Sequence, residues 1–392
     1  MPTITKRKDS YRITVSCGYD VSGNQIRQSM TWTPLHNMTE KQIKKELTRQ
    51  AALFEESVKT GQYMNGNIKF EAFAEEWFKQ IELEGNLKPL TIDKYKKLKE
   101  RTYKAIGHLK MTEINRIHIQ RFINSLADEG TNKLTGGGLS TKTQKGYLGF
   151  VSDVFNYAIS CNIVPLNPCR NVNTIKTESR ERVLFTLEES QMFLEQLEQS
   201  EPKYRAMFTL ALYSGFRHGE LLGLKWSDID FENCVITINR IALYTTEKGH
   251  FFGTPKTKSS QRSLKLPSAV IDMLAEYKRS QNIQRLALGD KWQNNDLVFP
   301  NNFGAVMHQT IPRRWLQSFC RDNGLPPVTV HGLRHANASL LISSGADVKT
   351  VSSTLGHSQT STTLDIYAHS FATKQAEASQ AVAEMLSTKK HA

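Results

Sequence analysis

Near the N-terminus apolar and polar residues alternate. Tyr11, Ile13 and Val15 are separated by Arg12 and Thr14. A period of two predicts a strand with one buried face. The stretch Tyr19 to Asn24 supplies a turn, Gln25 to Trp32 can run back, and a third strand is expected near residues 3–6. The period then lengthens. Leu47, Ala51, Phe54 and Val58 fall on one helix face, and Thr39 stands where it can cap that helix. Residues 1–62 are therefore expected to form a small three-stranded sheet plus helix.

Thr60 to Gly66 reads as a linker. Beyond it the helical period persists over residues 67–168. Phe70, Phe73, Trp77 and Ile81 share a face of one helix. A second helix begins after Leu87-Lys-Pro-Leu-Thr91 and carries Lys94, Lys96, Lys97, Lys99, Arg101 and Lys104. The glycine-rich stretch Thr131 to Ser140 is expected as a flexible loop. Thr141 to Ile159 reads as an amphipathic helix with Tyr147, Val151, Val154, Phe155 and Ala158 on one face. Pro165 and Pro168 close the region, and the polar, basic residues 169–184 are expected as a linker. Residues 182–392 alternate long helices with a short β-rich block, in which Val235–Arg240 and Arg262–Leu266 are strands that could pair. The fold class expected is multidomain and mainly α: the sheet-plus-helix domain, a helical domain, and a mixed, mostly α domain with a small β-sheet.

Composition narrows the class. The 392 residues carry a formal net charge of +13, which points to a polyanionic partner, nucleic acid before an anionic membrane. The basic run 94–104 is the candidate surface for phosphate contacts. The five cysteines are dispersed and form no CxxC pair, so a disulfide framework is not expected. No apolar run reaches the ~20 residues of a membrane span, and the basic N-terminus lacks a signal peptide's apolar stretch. A cytoplasmic protein is expected.

Machinery for nucleotides or metals is not visible. There is no GxxxxGK[ST], no GxGxxG and no acidic cluster of the kind a two-metal nuclease uses. Cys320, His331 and His335 lack the second closely spaced cysteine of a zinc site, and no metal is expected. Cationic and imidazole groups remain. Arg217 and Glu220 are three apart in Ser-Gly-Phe-Arg-His-Gly-Glu-Leu-Leu, so the carboxylate can orient the guanidinium. Lys256 and Lys258 stand in Thr254 to Ser260, read as the turn of a small hairpin. His331 and Arg334 are three apart in His-Gly-Leu-Arg-His, His357 closes Leu-Gly-His, and Tyr367 follows ten residues later.

In this order and spacing, the set resembles the catalytic signature of the tyrosine recombinases, the phage integrase family. The N-terminal sheet is similar to arm-binding domains of integrases of Gram-positive phages and conjugative transposons, and the helical middle to their core-binding, SAM-like domain. The resemblance implies a site-specific recombinase that cuts and rejoins DNA through a 3′-phosphotyrosyl intermediate, without ATP or a metal cofactor. Its catalytic residues would be Arg217, Lys258 (preferred to Lys256), His331, Arg334, His357 and Tyr367. It further implies double-stranded DNA partners at core and arm sites, a homotetramer on DNA, and excisionase and DNA-bending proteins as candidate accessory partners. The tail Phe371 to Leu386 would dock on a neighbouring protomer. Departures from the family pattern are slight: His218 stands where a second basic residue is frequent, and His335 is expected to be structural.

The chemistry suits the residues. Two guanidiniums can hold the non-bridging phosphate oxygens with forked donors. A phenol with a pKa near 10 is a usable nucleophile and a tolerable leaving group, so the protein–DNA bond can reverse. A lysine can protonate the departing 5′ oxygen, His331 can exchange the phenol's proton, and His357 can donate to the phosphate. Two rivals share part of this reading: a type IB topoisomerase and a non-catalytic DNA-binding repressor.

Overall fold

The computed structural model describes residues 2–19, 23–35, 38–59, 68–177, 184–254, 261–356, 359–361, 363–364, 367, 379–380 and 382–386. The chain divides into two compact units, Met1–Ser179 and Arg180–Ala392.

The first unit holds two hydrophobic cores. Strands β1 (Thr3–Arg7), β2 (Ser10–Tyr19) and β3 (Gln25–Trp32) form an antiparallel meander, with Ile13 opposite Met30 and Tyr11 opposite Trp32. Helix α1 (Glu40–Lys59) covers one face, burying Leu47, Ala51 and Phe54 against Ile13 and Val15. Thr39 caps it reciprocally: its Oγ1 accepts from the Gln42 N–H, and its own N–H donates to Gln42 Oε1 at 2.8 Å.

The second core lies among α2 (Phe70–Glu84), α3 (Pro89–Thr102), α4 (Arg116–Ser125) and α5 (Thr141–Ser160). The predicted faces are the buried ones, and Phe70, Phe150 and Phe155 are wholly enclosed. Pro89 opens α3, where its missing N–H costs nothing. Tyr95 ties α3 to α5 by donating its hydroxyl to Asp153 at 2.6 Å.

Two segments differ from expectation. The stretch 131–140 is pinned by its own backbone, with Gly130 N–H donating to Gly136 O and Asn132 N–H to Gly137 O. Gly138 is required there by crowding, since a Cβ would lie 2.1 Å from the Ala127 carbonyl oxygen. Residues 169–177 are packed onto the helical core rather than spanning open solvent. Cys169 and Val172 are buried, and Ile175 N–H donates to Gln144 Oε1 at 2.9 Å.

The second unit contains α6 (Leu187–Leu197), α7 (Pro202–Ser214), α8 (His218–Gly223), β4 (Ile229–Asp230), β5 (Val235–Thr237), β6 (Ile241–Thr245), β7 (Gly249–Gly253), β8 (Ser263–Lys265), α9 (Ser268–Leu288), α10 (Thr310–Asp322), α11 (Val330–Ser343) and α12 (Val348–Leu355). The apolar α7 runs through its core among Phe193, Phe216 and Phe299. The expected pairing of residues 235–240 with 262–266 is present as β5 against β8, in a sheet of order β4-β5-β8. The hairpin β6–β7 was not visible as a period, and it turns at residues 246–248. The stretch Thr254 to Ser260, expected as the turn of a small hairpin, follows β7 in sequence, and residues 255–260 lie outside the described residues. Its lysines, Lys256 and Lys258, lie outside the described residues. Among the described residues no helix is long and apolar enough to cross a membrane.

Candidate active site

Four short segments of the second unit converge. The first is the turn between α7 and α8. Helix α7 ends at Gly215 in the left-handed conformation (φ 61°), and Arg217 is the residue preceding α8. Glu220 then folds back on the turn. It accepts from the Arg217 backbone N–H at 2.8 Å and from Arg217 Nη1 at 2.8 Å. The i,i+3 relation read from the sequence is thus a real pair, with Glu220 1% exposed and Arg217 37% exposed.

The second segment is α11, which Thr329 caps through its Oγ1. His331, Arg334 and His335 lie on successive turns. Arg334 is buried and donates from Nη1 to Gly215 O and from Nη2 to Leu355 O, both at 2.6 Å. His331 is exposed and stacks edge-on against His335, with ring centroids 4.6 Å apart.

The third segment is the end of α12, which stops at Gly356 in the left-handed conformation (φ 63°). Both arginines grip this turn. Arg334 takes the carbonyl of Leu355, and Arg217 Nη2 takes that of Gly356 at 2.9 Å. His357 follows immediately and lies outside the described residues.

The fourth is Tyr367 itself, buried among Ala338, Ile342, Val351 and Leu355. Its hydroxyl is 2.5 Å from His335 Nδ1. His335, expected to be structural, thus touches the phenol, and His331 packs against His335.

A further group belongs to the site and escaped the sequence reading. Arg262, just before β8, donates from Nη1 and Nη2 to the two oxygens of Glu220 at 3.2 and 3.0 Å. Its position beside a strand gave no signal, because the contact spans 42 residues.

Electrostatics follow from this crowding. Burial alone would raise the Glu220 carboxyl, but hydrogen bonds and charge from Arg262 and Arg217 prevail and hold it below the usual carboxylate range. Burial, reinforced by the Arg217 charge, pushes Arg334 down to about 9, so it remains charged at neutral pH. His218 is pushed down to about 4 by burial and by Arg313, and therefore adds no second positive charge beside Arg217. Three guanidiniums around one buried carboxylate leave an excess of positive charge, suited to an anion.

Of the basic residues expected on α3, Lys96 and Lys99 reach back to α2, pairing with Glu82 at 2.6 Å and Glu75 at 2.9 Å. Lys97 and Lys104 make exposed pairs within their own helical stretch, with Asp93 and Glu100. Lys94 lies against Gly146 of α5, and Arg101 donates to the Thr131 carbonyl at 3.1 Å.

The chain has relatives among known proteins. Residues 184–374 match the model of the phage integrase family, and residues 69–127 match the N-terminal SAM-like domain of phage integrases. A tyrosine recombinase XerC-like protein of Caldanaerobacter subterraneus is 30% identical over 391 residues, covering 92% of this chain and 93% of the relative. The ICEBs1 integrase of Bacillus subtilis is 28% identical over 269 residues, covering 68% of this chain and 72% of the relative. In fold, the chain is similar to the Tn1549 transposon integrase solved with transposon right end DNA. That match has a TM-score of 0.64 and 22% identity, and covers 79% of this chain and 98% of that one. It is also similar to lambda integrase solved as a tetramer on a Holliday junction, with a TM-score of 0.53, 17% identity, and 91% and 92% covered.

Proposed function

The chain belongs to the phage integrase family of tyrosine recombinases and is a site-specific recombinase; on that premise we propose that Tyr367 is its nucleophile and that Arg217, Arg334 and His331 act with it. Lys258 and His357 complete the set by their place in the sequence.

In this reading the Tyr367 oxygen attacks a backbone phosphorus in line. The new bond joins the phenolic oxygen to the 3′ phosphate, and the bond to the 5′ oxygen breaks. Arg217 and Arg334 hold the non-bridging oxygens, where negative charge grows. Each guanidinium has five donors, and among the described residues acceptors engage two of them on Arg217 and two on Arg334. Lys258 gives the 5′ oxygen its proton, His331 exchanges the proton of the phenol, and His357 donates to the phosphate. The reverse reaction, with a 5′ hydroxyl from another strand, rejoins the DNA. The bond energy stays in the phosphotyrosyl link, so neither ATP nor a metal is needed.

One observation carries this reading. Arg217 and Arg334 both hydrogen-bond one turn, Leu355–Gly356, Glu220 holds Arg217, and Tyr367 packs in the same cluster as Leu355 with its hydroxyl on His335.

The remaining parts follow. Residues 1–62 bind arm sites, 67–168 bind the core site, and 182–392 cut and rejoin. Four protomers assemble on two sites, in keeping with the lambda integrase tetramer, and the tail through Leu386 docks on a neighbour. Excisionase and DNA-bending proteins are the accessory partners proposed. The test is strand joining between two duplexes bearing the core site, in buffer with chelator and without ATP. Joined products are expected. Relaxation of supercoils without joining would point to a topoisomerase instead.

A further inference from the structure

We infer that Arg262 is a positioning residue for the cleavage step, acting on Arg217 through Glu220; this rests on the reading of Tyr367 and Arg217 given above. Its side chain is 8% exposed, and its guanidinium lies 5.2 Å from the ring centre of Phe216. Every nitrogen of the group has an acceptor. Nη1 and Nη2 take the two Glu220 oxygens, and Nε donates to Thr354 O at 2.8 Å. A planar fork of this kind fixes the plane of a carboxylate as a lysine cannot.

Glu220 is shared between two arginines. It receives both the backbone N–H and Nη1 of Arg217 on one side, and the Arg262 fork on the other. Arg262 therefore does two things. It holds the carboxylate in the orientation that aims Arg217, and it takes up part of the carboxylate's charge. Without it the whole negative charge falls on Arg217, drawing that guanidinium from a phosphate and lowering the positive charge of the site. The bond to Thr354 pins the end of α12 just before the Leu355–Gly356 turn that Arg217 and Arg334 grip. Arg262 touches no reacting atom in this scheme, and its loss should slow the chemical step while sparing DNA binding.

The experiment measures single-turnover cleavage of a nicked duplex carrying the core site, together with affinity for the intact duplex and thermal unfolding. Arg262→Lys keeps a cation beside the buried carboxylate and so keeps the fold, yet cleavage should slow about tenfold; Arg262→Ala should slow it about a hundredfold. Affinity for the duplex should change less than about threefold in both, because the many backbone phosphates bound outside this site supply most of the affinity. In the Glu220→Gln background, Arg262→Ala should cost less than about threefold more, since the two residues act as a unit. Wild-type cleavage by Arg262→Lys, or full multiplication of the Arg262→Ala and Glu220→Gln losses, would overturn the inference. Absence of a covalent adduct from the unmutated chain would overturn the Tyr367 reading, and this inference with it.

Discussion

His335 Nδ1 stands 2.5 Å from the hydroxyl oxygen of Tyr367, and both side chains are buried. The nucleophile proposed for the reaction thus packs among Ala338, Ile342, Val351 and Leu355. Nitration by tetranitromethane reads this directly. Tyr367 (3% exposed) should react far more slowly than Tyr19 (71% exposed), and His335→Ala should speed its reaction. Equal nitration of the two tyrosines, measured by peptide mass spectrometry, would contradict the burial.

Gly215 ends α7 at the turn that Arg334 holds. It sits at φ 61°, and an added Cβ would meet Asn337 Oδ1 at 2.7 Å and Leu355 Cδ2 at 3.0 Å. Its carbonyl is also an acceptor for Arg334. Gly215→Ala should cost about 2 kcal/mol from the left-handed backbone and the crowding. The melting temperature of the catalytic unit should fall by roughly 4–8 °C, and cleavage should drop with it. An unchanged melt would show that the turn is not held as described.

Acid should act through Glu220. Its carboxyl titrates at 4.5 unperturbed and lower when folded, so its pairing stabilises the fold above that pH. The contribution is lost as pH falls through the folded value. At neutral pH Glu220→Gln should be less stable than the parent chain by roughly 3 kcal/mol, since a buried ion pair is broken. The gap should narrow in denaturant melts as the pH drops below 4.5. A gap that stays constant across that range would assign the stabilisation elsewhere.

Residues 94–104 divide by helix face. Lys97 and Lys104, with side chains 62% and 75% exposed, make i,i+4 pairs with Asp93 and Glu100 that are worth a few tenths of a kcal/mol, whereas Lys96 and Lys99 clamp α3 to α2. Lys97→Ala and Lys104→Ala should each reduce the salt slope of core-site binding by about 0.9. Lys96→Ala and Lys99→Ala should leave the slope alone and lower the melting temperature slightly. The reverse pattern would place the phosphate face on the other side of the helix.

What the sequence made legible was what it encodes locally. The pairing of Arg217 with Glu220 and the contact of the His331 and His335 rings follow from helical spacing, and the buried faces of α2 and α5 from apolar period. Contacts between distant segments were not readable. Arg262 meets Glu220 across 42 residues, and His335 meets Tyr367 across 32, with nothing in either local pattern to announce the meeting. The glycines of 131–140 misled for a different reason. Glycine there answers the close approach of Ala127 to Gly138, and composition cannot separate that need from flexibility.

Tyr367 carries the account, and one measurement tests it most directly. A nicked suicide duplex bearing the core site is incubated with the chain, and covalent protein–DNA complex is resolved on a denaturing gel. The adduct should form with the unmodified chain, map to the peptide containing Tyr367, and vanish in Tyr367→Phe. An adduct that persists in Tyr367→Phe would contradict the assignment of the nucleophile.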